Sequence, residues 1–437
     1  MLVAVLSCFI VAFLAPWLAA MAGRAVGWLL ALLPMSLFVY FLSLVPRVSA
    51  GEEIVESLPW VPALDVSLSF YLDGLSLLFA LLISGIGTLI MIYAGGYLKG
   101  HPGIGRFYLF ILAFMGSMLG LVLTGNLVTL FVFWELTSLT SYLLIGFNHE
   151  SEASRKAALQ ALLVTGLGGL VMLAGFVMIA LIGGSLEFTT VLGQGDLLRE
   201  HPLYLAVLLL VLAGAFTKSA QFPFHFWLPS AMEAPTPVSA YLHSATMVKA
   251  GVYLLARMSP VLAGTEAWFY IVTTFGAVTM LVGGYLALTK TDLKRVLAYS
   301  TVSALGTLVL LLGLASPAAA TAAIVFLLAH ALYKGAFFML AGAVDHETGT
   351  RNILTLGGLR RVMPLTAAIA LLAAVSLAGF GPVFSFIAKE LLLEAVLEVE
   401  RARFILLPAV VLAGALFVAV AAIVGIRPFF GALKATP

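Results

Sequence analysis

"LYLAVLLLVLAGAFTKSAQFPFHFWLP", residues 203–229, begins as an unbroken apolar run and then contains a lysine and two prolines. The apolar part is typical of a membrane-spanning helix. Lys218 lies where that helix should continue, and Pro223 removes a backbone N–H donor and clashes with the preceding turn. An ammonium group within a membrane span must be neutral, paired or in contact with water. The stretch therefore predicts an interrupted membrane helix that carries a functional lysine.

The whole chain has a similar composition. Of its 437 residues, 62% are hydrophobic and 10% are charged, whereas soluble domains carry about 25% charged residues. Apolar runs of spanning length recur along the chain, so we predict an all-α polytopic membrane protein with about 13 transmembrane helices. The first run, 2–22, lacks the basic start and the cleavage site of a signal peptide, and we expect it to be retained.

Cofactor and nucleic-acid chemistry find little support in the sequence. Cys8 is the single cysteine, which excludes a disulfide framework and a cysteine-ligated iron–sulfur cluster. No glycine-rich nucleotide motif follows a strand pattern, and the net charge of +2 offers no basic surface for nucleic acid. We therefore expect no cofactor, no metal and no nucleic-acid partner.

The basic residues divide unevenly between the two ends of the predicted spans. Most fall on one side, and Arg47, Arg199, Arg257, Arg401 and Arg403 fall on the other. The positive-inside rule then predicts a cell-membrane protein with its N-terminus outside and its C-terminus in the cytoplasm.

Two spans are expected to be broken, 203–228 at Pro223 and 364–397 at "GFGP". Interrupted helices in corresponding halves are typical of transporters built from inverted repeats. We therefore predict four parts: N-terminal helices with an extracytoplasmic loop at 46–72, two inverted five-helix repeats, and a tail. Their boundaries are 1–105, 106–258, 259–426 and 427–437.

Ionisable side chains lie within several predicted spans. An ionised group at mid-membrane costs at least about 2.5–3.5 kcal/mol, so such residues usually face a bundle interior or a hydrated path. A single such residue is readily explained by helix packing, whereas several together favour a hydrated path through the membrane. The set comprises Glu135, Lys218, Lys249, Lys334, Lys389 and Glu390.

Glu135 and Lys218 are expected to pair, because both lie near mid-depth and an ammonium keeps a buried carboxylate ionised. The alternative is a static ion pair that only fixes helix packing. His243 and Lys249 lie six residues apart on the span 237–258, about 240° of rotation, so on one helix they would contact different neighbours.

His330 and Lys334 are four residues apart and should share one helix face, as a proton hand-over pair. Lys389 follows the second break. Glu390 is adjacent to it and should face another way, either as a helix-end charge or as part of the path.

Four stretches resemble the antiporter-like subunits of NADH:quinone oxidoreductase and, most closely, the large A subunit of multisubunit Mrp-type Na+/H+ antiporters. They are "FWELTSLTSYLLIGF", the run from Lys218 to Arg257, "HALYKGAFFMLAGAVDHETGTR" and "GGLRRVMPLT". The resemblance covers essentially spans three to twelve. It departs from the family near the second break, where Ser385 and Ala388 replace the usual glycine and serine.

The resemblance implies roles for the buried ionisable residues. Glu135 and Lys218 would form the ion pair of a first half-channel, and Lys389 would be the lysine of the second broken helix. The central axis would comprise His243, Lys249, His330 and Lys334. The family also implies several partner membrane subunits, no redox cofactor and a longer chain, so we expect this sequence to be a truncated or split form.

The function predicted is a proton-translocating subunit of a monovalent cation (Na+)/H+ antiporter, a transporter rather than an enzyme. A second hypothesis is the same machinery in a redox-driven complex or a bicarbonate-uptake system. A third is a haem-binding electron carrier with His225, His243 or His330 as axial ligands, and a fourth is a structural scaffold.

Overall fold

The computed structural model describes residues 1–61, 63 and 66–434. The chain divides into two compact units. The first comprises Met1–Lys218 and Glu233–Leu262, and the second comprises Ser219–Met232 and the chain from Ala263 onward. The units are thus interleaved in sequence, and the repeat boundaries given above stay a prediction.

Eighteen helices lie in the described part of the chain. They are α1 Leu2–Ala22, α2 Val26–Ser49, α3 Gly74–Tyr97, α4 Ile104–Leu123, α5 Leu127–Ile145, α6 Glu152–Gly183, α7 Phe188–Val191, α8 Gly195–Glu200, α9 Tyr204–Lys218, α10 Trp227–Ser230, α11 Thr236–Ser244, α12 Ala250–Leu262, α13 Glu266–Leu288, α14 Leu293–Leu314, α15 Pro317–Thr348, α16 Pro364–Ala378, α17 Phe384–Leu397 and α18 Arg403–Gly425.

The helical membrane fold predicted from composition is confirmed. Nine helical segments of the described residues are long and apolar enough to span a membrane, with α1 and α2 joined as one run. The shorter apolar helices α9 and α16 add to them. These segments do not by themselves confirm the predicted number of about 13 spans.

Both predicted helix breaks are present. Helix α9 ends at Lys218, five residues before Pro223, and the chain continues through a 3₁₀ turn at Phe224–Phe226 into α10. Helices α16 and α17 are separated by residues 379–383.

A third break was not predicted, and the expectation of one continuous helix over 237–258 is wrong. Helix α11 ends at Ser244, and α12 begins at Ala250 after a 3₁₀ turn. Thr246 has a non-helical backbone with φ −126° and ψ −111°. Its hydroxyl donates a 2.8 Å hydrogen bond to the carbonyl of Tyr241. Such side-chain bonds compete with the backbone ladder of a helix.

The loop predicted over 46–72 contains a β-hairpin. Strand β1, Ile54–Val61, pairs with the antiparallel strand β2, Val66–Leu72. Strand β2 leads directly into α3, which Asp73 caps by accepting a 2.9 Å hydrogen bond from the Ser76 amide. The alternating "VSLSF" of β2 is a strand signal that an all-helical interpretation overlooks.

Candidate functional site

Lys218 is the last residue of α9 and is fully buried. Its Nζ donates to the Ser138 hydroxyl at 2.7 Å and to the Trp134 carbonyl at 3.0 Å, both on α5. The same atom lies 5.0 Å from the centroid of the Trp134 ring. Neutral oxygen atoms and an aromatic face therefore replace water around this amino group.

Glu135 follows Trp134 on α5, but its carboxylate is directed towards α6. Its Oε2 lies 3.6 Å from the position that a Cβ would take at Gly166, and its Oε1 lies 2.1 Å from that position at Gly169. Oε1 is buried and has no hydrogen-bond partner among the described residues. In the same part of the chain, no nitrogen–oxygen contact of 4.0 Å or less joins Glu135 to Lys218. The two residues of the expected pair thus lie on separate helices, α5 and α9, without direct contact.

Glycines of α6 create the space for this arrangement. A Cβ at Gly168 would lie 1.9 Å from Oγ1 of Thr217, the residue before Lys218. Small residues at helix contacts allow close backbone approach in membrane proteins. Sequence analysis missed this role, although "TGLGG" at 165–169 in the middle of an apolar span is the signal that indicates it.

His243 and Lys249 flank the unpredicted break between α11 and α12, and both are fully buried. Helix α11 is held against α3 by Tyr241, whose hydroxyl donates a 2.8 Å hydrogen bond to the Ile83 carbonyl. The rotation expected for one continuous helix does not apply, since His243 belongs to α11 and Lys249 ends the 3₁₀ turn. Their orientations are therefore set by two separate helices.

Lys334 in the second unit has a partner set that resembles that of Lys218. Its Nζ donates to the Ser300 hydroxyl at 2.7 Å and to the Leu297 carbonyl at 3.4 Å, both on α14. His330 lies one turn earlier on α15 and packs edge-on against Tyr333, with ring centroids 5.4 Å apart. His330 and Lys334 are both fully buried on one continuous helix, as their spacing predicts. Sequence analysis did not identify Ser300.

Lys389 connects the two halves of the second broken helix. It lies on α17, and its Nζ donates to the carbonyl of Ala378 at the end of α16. A Cβ at Gly379 would lie 2.4 Å from Cδ of Lys389, so this glycine accommodates the lysine stem. The side chain also borders a cavity of about 220 Å³ with Phe417 on another wall. Glu390 is exposed.

Arg257, which was predicted to lie on the less basic side of the membrane, is a buried residue of α12. It donates to both carboxylate oxygens of Asp73, at 2.6 and 2.8 Å, and to the Ser76 hydroxyl at 2.7 Å. Burial alone would raise the pKa of Asp73, but the hydrogen bonds and charge of Arg257 outweigh it and hold the pKa below its ordinary value. This pair ties α12, and hence the chain that follows Lys249, to the start of α3.

The predicted residues are divided between the two units. Glu135, Lys218, His243 and Lys249 belong to the first unit, and His330, Lys334 and Lys389 to the second. Within the described residues, no group of three or more histidine, cysteine, aspartate or glutamate side chains could hold a metal. The chemistry available is that of buried amines, imidazoles and one carboxylate among hydroxyls, which can hold or pass protons.

Two family models match the chain. Residues 124–416 match "NADH:quinone oxidoreductase/Mrp antiporter, TM", and residues 60–108 match "NADH-Ubiquinone oxidoreductase (complex I), chain 5 N-terminus". The A subunit of the Na+/H+ antiporter of Alkalihalophilus pseudofirmus is 48% identical over 411 residues, covering 90% of this chain and 51% of that protein. The A/B subunit of a probable K+/H+ antiporter of Rhizobium meliloti is 50% identical over 374 residues, covering 86% and 37%.

Chains of two solved membrane complexes have a fold similar to that of the present chain. A chain of the Mrp complex from Dietzia sp. superposes with a TM-score of 0.88 at 40% identity, covering 99% of this chain and 47% of that one. An archaeal membrane-bound sulfane sulfur reductase chain has a TM-score of 0.88 at 22% identity, covering 100% and 89%, and shows the fold alone. The present chain spans about half the length of the Na+/H+ antiporter relatives it matches. The matched models and these identities show that it belongs to the family of membrane subunits common to NADH:quinone oxidoreductases and Mrp antiporters.

Proposed function

We propose that this chain is a proton-translocating membrane subunit of a multisubunit Na+/H+ antiporter. The observation that carries the proposal is the pair of fully buried lysines, Lys218 and Lys334, each held by a serine hydroxyl and a backbone carbonyl. Burial disfavours the charged form of a lysine, and neutral acceptors compensate for it less than a carboxylate does. A lysine in such surroundings can gain and lose a proton as its partners change.

Glu135 supplies the change of partner in the first unit. When Lys218 donates hydrogen bonds to Ser138 and Trp134, the Glu135 carboxylate packs against the α6 glycines, and its Oε1 accepts no hydrogen bond. When the lysine turns to the carboxylate, the attraction of opposite charges holds its proton. Alternation between these two arrangements would drive a proton towards Lys249, and onwards through His330 and Lys334 to Lys389.

The names of the relatives support the choice of cation and partners. Several are named as the A subunit of a Na+/H+ antiporter, and one as the A/B subunit of a probable K+/H+ antiporter. We propose Na+ as the exchanged ion, other membrane subunits as partners, and the cell membrane as the location. The excess of basic residues on one side favours an outside N-terminus and a cytoplasmic C-terminus.

Vesicles containing the assembled complex provide the test. Na+ pulses should dissipate an imposed pH gradient through Na+-dependent proton flux. Glu135→Ala or Lys218→Ala should reduce that proton flux at least about tenfold, because each substitution removes one partner of the proposed ion pair. Lys156→Ala is the matched control, since this exposed lysine pairs with Glu152 on the first turn of α6.

Undiminished flux in both site variants would overturn the proposed path. Flux driven by K+ but not by Na+ would reassign the cation and leave the path intact. Purification of the chain with flavin or iron–sulfur subunits, together with flux that depends on an electron donor, would replace antiport by redox-driven pumping.

A further inference from the structure

A pocket lies at one end of the first unit, away from the buried lysines. It has a volume of about 740 Å³ and is formed by the α3–α4 and α5–α6 connections with the start of α4. Its lining includes His101, Arg106, Phe147, His149 and Glu150. Because these connections follow directly on apolar spans, the pocket lies at the depth of lipid headgroups.

One guanidinium group lines this pocket and a second lies beside it, and each is held by uncharged atoms. Arg106 donates to the Phe147 carbonyl at 3.1 Å and lies 5.0 Å from the centroid of the Phe147 ring. Arg155 donates to the carbonyls of His149 and Glu150 at 2.6 and 2.9 Å. Among the described residues, no carboxylate oxygen lies within 4.0 Å of a nitrogen of either arginine. Both positive charges and several donors therefore remain for a ligand.

Two acidic residues lie near this pocket, and one of them is paired elsewhere. Glu152 is engaged with Lys156 at 2.6 Å. Glu150 lines the pocket and would weaken the binding of a small soluble anion. A ligand whose apolar part makes further contacts would offset this repulsion better than a simple anion.

An apolar groove supplies the site for that part. A second cavity of about 200 Å³ shares Arg106, Phe147 and His149 with the pocket and also reaches Arg155. It continues over Phe110, Tyr142, Leu143 and Ala158. Tyr142 and Leu143 are exposed residues of α5, and Tyr142, seven positions after Glu135, lies on nearly the same face of the helix. The combined site is polar and cationic at one end and apolar along the span.

We propose that this pocket and groove bind one anionic phospholipid. Its phosphate would lie between Arg106 and Arg155, and an acyl chain would follow the groove along α5. Planar guanidinium groups match phosphate oxygens in a bidentate manner, and basic pockets between membrane helices bind anionic headgroups in this way. A bound lipid would thereby cover the same face of α5 that carries the half-buried Glu135.

Native mass spectrometry of the delipidated full chain, with its copurifying subunits, tests the proposal. Phosphatidylglycerol should form a defined adduct that phosphatidylcholine does not, and Arg106→Gln/Arg155→Gln should weaken it about 30-fold, or about fivefold for each arginine. Arg24→Gln, an exposed arginine between α1 and α2, should leave the adduct unchanged. Arg106→Lys/Arg155→Lys should retain part of the affinity, because the charge remains while the fork geometry is lost.

The melting temperature in phosphatidylcholine separates misfolding from loss of the site. Weakened binding in a variant that melts as the wild type supports the proposal. If Arg106→Gln/Arg155→Gln unfolds, the proposal is tested instead by lipid binding to Arg106→Lys/Arg155→Lys and by competition with inorganic phosphate. Retained affinity in a folded double variant overturns the proposal, as does equal stabilisation by inorganic phosphate alone, which would indicate a soluble-anion site.

Discussion

Gly169→Ala is expected to impair transport while leaving the fold nearly as stable as before. The added Cβ would lie 2.1 Å from Oε1 of Glu135, whereas ordinary contacts begin at 3.4 Å. The carboxylate must therefore withdraw by about 1.3 Å, the difference between these distances. It can do so because it ends a flexible side chain. The Trp134 ring atoms, at 3.0 and 3.1 Å, need give only a few tenths of an ångström.

Two opposing contributions to the free energy of unfolding of Gly169→Ala nearly cancel. Alanine in place of glycine inside a helix stabilises it by about 1 kcal/mol. A side chain displaced from its preferred rotamer costs roughly 0.5–1.5 kcal/mol. The net change in the free energy of unfolding should thus lie within about 1 kcal/mol. Transport should fall by about ten- to a hundredfold, because a displacement of 1 Å in a reacting group has effects of that size.

Gly166→Ala is the control for this experiment. It lies one turn earlier on α6, and its added Cβ would be 3.6 Å from Oε2 of Glu135, an ordinary contact. Na+-dependent proton flux in vesicles, normalised to the amount of complex, should be unchanged in Gly166→Ala and reduced in Gly169→Ala. Equal and normal flux in both variants would show that the position of Glu135 does not limit transport. An equal reduction in both would assign the effect to the flexibility of α6.

Two further substitutions test the packing around the path. Asp73→Asn should lower the melting temperature, because breaking a buried ion pair costs about 3–5 kcal/mol. The pKa of Asp73 is held below its ordinary value in the folded protein. The ionised carboxylate therefore stabilises the wild type fully above about pH 4, and this stabilisation is lost as the pH falls through the lowered pKa of the folded state. Over that pH range the melting temperature of the wild type should fall more steeply than that of Asp73→Asn. Gly379→Ala should lower both stability and flux: its φ of +70° costs an alanine roughly 1–2 kcal/mol, and its Cβ would displace the Lys389 stem. Thermal unfolding in detergent and vesicle flux measure these effects, and a Gly379→Ala variant with normal flux would show that the position of Lys389 is not critical.

The sequence predicts the helical membrane fold and the burial of Lys218, Lys249 and Lys334, for a physical reason. A charge within a long apolar run is costly, so Lys218 and Lys334 are conspicuous in any hydropathy pattern. The breaks near Lys218 and Gly379 follow likewise from prolines that a helix cannot easily accommodate.

The break after Ser244 has no such signal. No proline or glycine occupies residues 245–249, and the interruption depends on the hydroxyl of Thr246 bonding to the Tyr241 carbonyl. The Asp73–Arg257 pair was also missed, because it joins residues 184 positions apart and each has an ordinary local explanation. Contacts of this kind depend on tertiary packing rather than on any pattern within one segment.

The hydroxyl partner of Lys218 bears on how the proposed pair of Glu135 and Lys218 would switch. Hydrogen bonds from a charged donor contribute about 1.5–3 kcal/mol each, so the bonds from Lys218 to Ser138 and Trp134 together offer about 3–6 kcal/mol. Two opposite charges 4 Å apart attract by about 4 kcal/mol in surroundings of intermediate polarity. The observed arrangement of Lys218 and the proposed one would therefore be close in free energy, and a change in the charge of a neighbour would suffice to shift the population between them. A carboxylate in place of Ser138 would remove that balance and fix the lysine, so a neutral partner suits the proposed path, in which the lysine must release its proton.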